Sequence, residues 1–138
     1  MADDELARRA WRAMSEVALD HDRKVAVSEG VGLSWARVLT LRRLAAEPQT
    51  MRAIAERLAA DPPYITVMVD DLEKRGLVRR RPHPDDRRAK LVELTAAGRK
   101  LVARADAIFF EPPPALFDAA AKDLTAMLRV LERLAPED

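Results

Sequence analysis

From Leu6 to Val25, apolar side chains recur every three or four positions, at Leu6, Ala10, Met14, Val17 and Val25 with His21 in register. That spacing predicts one long helix over residues 4–27. Ser28-Glu29-Gly30-Val31-Gly32 interrupts it with two glycines, and Ser34 is placed to cap a second helix carrying Trp35, Val38, Leu39, Leu41 and Leu44 as far as Glu47-Pro48. Thr50 caps a third, short helix with Met51, Ile54, Ala55 and Leu58 inward. A fourth starts at Asp61-Pro62, with proline at the first helical position where a missing N–H costs nothing, and it buries Ile65, Met68, Val69 and Leu72 before Gly76 stops it.

From Leu77 the period shortens to two. Leu77-Val78-Arg79-Arg80-Arg81 and Ala89-Lys90-Leu91-Val92-Glu93-Leu94 read as two short strands around the turn Pro82-His83-Pro84-Asp85-Asp86-Arg87-Arg88. Two strands alone are marginal, so they must lean on helices. Thr95 caps a further helix running to about Phe110, which Pro112-Pro113-Pro114 breaks, and the last helix spans roughly 118–135 with Phe117, Ala120, Leu124, Met127, Leu128, Leu131 and Leu134 on one side. The class is therefore mainly α with a small β-hairpin. At its centre, helices over 50–60 and 62–75 joined at Ala60-Asp61 form a helix-turn-helix, and the hairpin that follows supplies a wing.

A length of 138 residues suits one domain with one core. The absence of cysteine excludes disulfides, thiolate metal sites and a thiol switch. The charged start MADDELARRA and the lack of any stretch near the roughly 18 apolar residues of a membrane span predict a soluble, cytoplasmic protein. The formal net charge of +1 conceals a pattern. Residues 1–22 hold three bases against six acids, residues 105–138 three against seven, and residues 74–90 eight against two. A basic block between acidic ends suits a polyanion, because counterion release depends on charge at the contact and not on the whole-chain sum. The second helix of the helix-turn-helix can enter a major groove, Thr50 at the start of its neighbour is a candidate DNA contact, and the wing arginines, Arg79 and Arg81 among them, reach backbone or minor groove.

Ile54-Ala55-Glu56-Arg57-Leu58, the run Val69 to Arg80 (VDDLEKRGLVRR), Asp86-Arg87-Arg88 and Val92-Glu93-Leu94-Thr95-Ala96-Ala97-Gly98 together resemble the MarR (multiple-antibiotic-resistance regulator) family of transcription factors. The resemblance covers about residues 33–104. It implies a winged helix-turn-helix over that span, dimerisation helices over 4–32 and 105–138, and a homodimer that sets one winged helix on each half of a palindromic operator in double-stranded DNA. By the same resemblance Pro63, Tyr64, Thr66 and Val67 at the start of the recognition helix meet bases and phosphates. Asp86 orients Arg88 into the minor groove, with Arg87 beside it. Val67 and Asp71 stand where many relatives carry a base, which shifts expected readout toward Tyr64, Thr66, a Val67 contact to a thymine methyl, and groove shape. Small aromatic effectors of such proteins occupy a cavity beside the dimerisation helices, and Trp11, His21 and Trp35 are its candidate lining. A repressor relieved by such an effector is the implied function.

The alternative is a winged-helix adapter that binds protein and no operator, which the missing basic residues at Val67 and Asp71 motivate. An enzyme is not expected: there is no Gly-rich phosphate loop, no cysteine nucleophile and no His-centred triad, and neighbouring Asp70 and Asp71 point about 100° apart on a helix. No cofactor is expected, and two distant histidines, His21 and His83, predict no metal site. Gly98 is expected to let the wing and the following helix approach closely.

Overall fold

The computed structural model describes residues 2–135, the side chain of His21 excepted, so the acids Glu137 and Asp138 of the C-terminal stretch lie outside it. Where one helix was expected over 4–27 there are two, α1 (Ala2–Ala18) and α2 (His21–Val31). Asp20 makes the break: its carboxylate accepts the Asp22 N–H at 3.0 Å, so the side chain competes with the helical ladder and caps a new helix. Only one of the two glycines ends α2. Gly32 takes a left-handed conformation (φ 71°), while Gly30 stays helical where α2 crosses a later helix, and a Cβ there would lie 2.4 Å from Ile108 Cδ1.

Capping then proceeds as the sequence implies. The Ser34 hydroxyl accepts the Arg37 N–H at 3.4 Å to open α3 (Trp35–Ala46), and Thr50 accepts the Ala53 N–H at 3.0 Å to open α4 (Met51–Leu58). Ala59, left-handed at φ 47°, turns the chain into α5 (Pro62–Lys74). Asp61 occupies the cap position of α5 but makes no side-chain cap bond, since Pro63 removes one of the amides it would receive. The hairpin is β2 (Val78–Pro82) and β3 (Lys90–Leu94), paired antiparallel with Val78 opposite Leu94, Arg80 opposite Val92 and Pro82 opposite Lys90. A third strand, unforeseen, is the two-residue β1 (Gln49–Thr50), which pairs with the other edge of β3, so the sheet order is β1-β3-β2. Thr95 caps α6 (Ala96–Phe109) as expected. After the prolines come a four-residue turn of helix, α7 (Pro114–Phe117), and α8 (Ala121–Leu134). Phe117 thus sits on α7, not on the last helix.

Buried hydrophobic side chains run from Val27 to Ala105, with Leu41, Leu44, Ile65, Met68 and Leu72 the largest of those fully enclosed. Each contributes about 1.5–3 kcal/mol by leaving water. None comes from α1 or α8. The stripe on α8, expected as core or interface, is not core within one chain: Leu128 is 54% exposed, and Met127, Val130 and Leu134 are exposed with it. No helix among the described residues is long and apolar enough to cross a membrane.

Gly98 performs the expected packing role. A Cβ on it would stand 2.1 Å from the carbonyl oxygen of Leu77, the atom that receives the Thr95 N–H at 3.1 Å where the wing meets α6. Because the obstacle is backbone, it cannot rotate away. Gly98→Ala should lower stability by about 1–3 kcal/mol in urea denaturation, and an unchanged midpoint would refute this close-approach account.

Candidate nucleic-acid interface

The buried stripe of α5 turns the opposite face outward, and that face carries Pro63, Tyr64, Thr66 and Val67. Tyr64 is 49% exposed and Val67 64%, although both are large and partly apolar. The Thr66 hydroxyl donates to the Pro62 carbonyl at 3.1 Å, which leaves its oxygen lone pairs facing out. The sequence-expected recognition surface is therefore assembled on one solvent-facing side of one helix.

Asp71, an acid where the resemblance leads one to expect a base, sits between two arginines. Arg37 Nε on α3 donates to it at 2.9 Å and Arg75 Nε, one turn along α5, at 3.0 Å. Partial desolvation pushes its carboxyl up, but these bonds outweigh that and hold it below the usual carboxylate range. Asp71 thus staples α5 to α3.

On β2, Arg79 and Arg81 share a strand face and one partner. Their Nε atoms donate to the two carboxylate oxygens of Glu93 on β3 at 2.5 and 3.0 Å. The hydrogen bond from Arg79, then that from Arg81, holds the Glu93 carboxyl below its ordinary value against a smaller desolvation effect. Both expected DNA arms are thereby tied down along the hairpin.

Arg87 and Arg88 are different: at the exposed wing tip, neither guanidinium has an ion partner among the described residues. Asp86 does not hold the Arg88 guanidinium, the role the resemblance implies. It accepts the Arg88 backbone N–H at 3.0 Å, and its own carbonyl accepts the Ala89 N–H at 3.1 Å, so it shapes the turn that presents the arginine. His83 belongs to the same turn, its Nδ1 accepting the Asp85 N–H at 3.0 Å. Thr50, Arg52, Asp86, Arg88 and Lys90 line an open cleft of about 330 Å³ between the start of α4 and the wing, so Thr50 and Arg88 lie at one place although distant in sequence. Of the eight bases in residues 74–90, Arg75, Arg79, Arg80 and Arg81 are bound to carboxylates, and Lys74, Arg87, Arg88 and Lys90 have no ion partner among the described residues.

Both depressed carboxylates give the fold a pH dependence of one sign. A folded-state value below the unfolded one stabilises above the unfolded value, and that contribution is lost as pH falls through the folded value. The melting temperature should hold between neutral pH and about 5, then fall below the ordinary carboxylate values of about 4, and the fall should shrink in Glu93→Gln. A melting temperature that rises on acidification would contradict these pairings.

Of the three expected effector residues, Trp11 and Trp35 lie in separate places within one chain. Trp11 is 64% exposed on α1, beside Arg8 and Arg12, and the His21 side chain lies outside the described residues. Trp35 stacks on Phe109 with ring centres 5.3 Å apart, under Lys24 at 5.8 Å. Sequence reasoning missed the rest of that cluster. Arg42 pairs with Asp106 at 2.7 Å and lies over Phe109 and Phe110, while Arg23 donates to the carbonyls of Phe109 and Glu111 at 2.8 and 2.7 Å, satisfying the end of α6. No group of three or more His, Cys, Asp or Glu among the described residues could hold a metal ion.

Residues 33–90 match the MarR family model. The transcriptional regulator BldR from Sulfolobus solfataricus is similar over 96% of this chain and 97% of its own, with 25% identity and a TM-score of 0.61. A MepR mutant from S. aureus bound to an oligodeoxyribonucleotide is similar over 93% and 94%, at 23% identity and TM-score 0.67. Wild-type MarR from E. coli in its apo form shares the fold over 90% and 96%, at 20% and 0.65. Residues 33–90 are thus similar to the MarR family, and the whole chain carries a winged-helix fold like that of the BldR, MepR and MarR structures.

Proposed function

We propose that the protein is a homodimeric, sequence-specific DNA-binding repressor relieved by a small aromatic effector. The observation that carries the DNA-binding part is the pairing of an exposed face of α5 at Pro63, Tyr64, Thr66 and Val67 with a wing tip whose Arg87 and Arg88 have no ion partner among the described residues. That a MepR mutant of similar fold binds an oligodeoxyribonucleotide supports DNA binding by this chain. Support for the homodimer comes from α1 and α8, where Leu6, Trp11, Val17, Leu128 and Leu134 are more than half exposed and bury nothing inside one chain. A two-fold pair would set recognition helices about 34 Å apart, one turn of duplex. The effector would act by changing that separation, with Trp35, stacked on Phe109, as the candidate aromatic contact. The adapter alternative gains nothing from Asp71, whose ion pairs give that acid a structural reason.

Fluorescence-anisotropy titration of genomic fragments selected for binding tests the proposal. It expects preference for inverted repeats, log affinity falling linearly with log salt, and release by benzoate or a similar aromatic acid. Salt-insensitive or sequence-blind binding would refute it.

A further inference from the structure

We infer that Arg80 is a positioning residue that locks the wing to the recognition helix without itself touching DNA, an inference that rests on the DNA-binding reading above. Arg80 lies between two arginines on β2, and strand alternation turns it to the opposite side from Arg79 and Arg81. There it meets α5. Its Nη1 donates to Glu73 Oε1 at 3.1 Å, its backbone N–H to Glu73 Oε2 at 3.1 Å, and its Nη2 to Asp70 Oδ1. Asp70 and Glu73 are three residues apart on one helix face, so the planar guanidinium spans both carboxylates as a point-charge lysine could not. Its side chain is 23% exposed, against 70% for Arg79 and 43% for Arg81.

Two physical considerations give these bonds a role. Asp70 and Glu73 are half-exposed acids on the helix that faces a polyanion, and by charge alone they oppose binding. Pairing cancels that repulsion and turns the same acids into anchors. Val78, Val92 and Leu94 root the hairpin in the core and β1 pairs with β3, but β2 is an edge strand that is largely exposed beyond Val78. The Arg80 fork ties that outer part of β2 to α5, so that helix and wing reach their two grooves as one body.

The absence of cysteine allows spin labels at Lys74→Cys and Asp85→Cys alone, which report the helix-to-wing distance without DNA. Arg80→Met should broaden or shift that distance distribution, and an unchanged distribution overturns the inference. The second arm separates position from charge. Asp70→Asn with Glu73→Gln keeps Arg80 and makes the helix face more positive. Charge attraction alone would tighten DNA binding, whereas loss of the anchor should weaken it roughly tenfold and make a further Arg88→Ala nearly silent. Tighter binding, or an Arg88→Ala effect as large as in the parent, overturns the inference. If the parent protein ignores DNA, the DNA-binding reading fails, and the label distances still decide whether Arg80 holds the wing.

Discussion

Arg87→Ala with Arg88→Ala should cost operator affinity at least a hundredfold and flatten its salt dependence while leaving the melting temperature in place. A homodimer loses four guanidinium groups at once, and a charge-assisted hydrogen bond contributes about 1.5–3 kcal/mol. If these groups meet phosphates, the slope of log affinity against log salt should fall by about 0.9 for each contact removed. Folding should be indifferent, because both side chains are exposed and have no ion partner among the described residues. Arg79→Ala with Arg81→Ala provides the contrast. Those arginines are held by Glu93, so their removal should affect binding less and stability more. Equal losses from the two pairs would mean that the free wing tip is not the main contact.

The second large effect belongs to α8. Met127→Asp with Leu128→Asp places two charges on a face that buries nothing within one chain, so the winged-helix core should still melt cooperatively by circular dichroism. Sedimentation should nevertheless show a monomer. Operator affinity should fall by about 10²–10⁴, the advantage lost when two linked half-site contacts become independent ones. A variant that remains dimeric, or a monomer that binds as well as the parent, would remove α8 from the assembly proposed above.

Sequence legibility followed the range of the interaction. The caps at Ser34, Thr50 and Thr95 each close a bond within three residues and were readable as written. Gly98 was readable because only a close backbone explains a glycine at that junction. The break at Asp20 was not, since an aspartate on an exposed helix and one that caps a new helix look alike. The apolar stripe it interrupts buries nothing that would have fixed the register. Strand β1 was invisible because two residues carry no period, and its existence depends on β3 some forty residues later. The outward face of α5 was legible from the buried stripe opposite it. The fates of Arg79, Arg80 and Arg81 were not, because the acids that claim them lie on different elements, Glu93 on β3 and Asp70 and Glu73 on α5.

The pairing of half the central block's bases has a kinetic corollary. If the protein binds DNA as proposed, its hold on random duplex rests largely on the cations of that block left unpaired among the described residues, Lys74, Arg87, Arg88 and Lys90, so nonspecific stays should be brief at physiological ionic strength. The expected search is then by hopping between segments more than by long one-dimensional slides, with the dwell time at a correct sequence set by the fit of helix and wing.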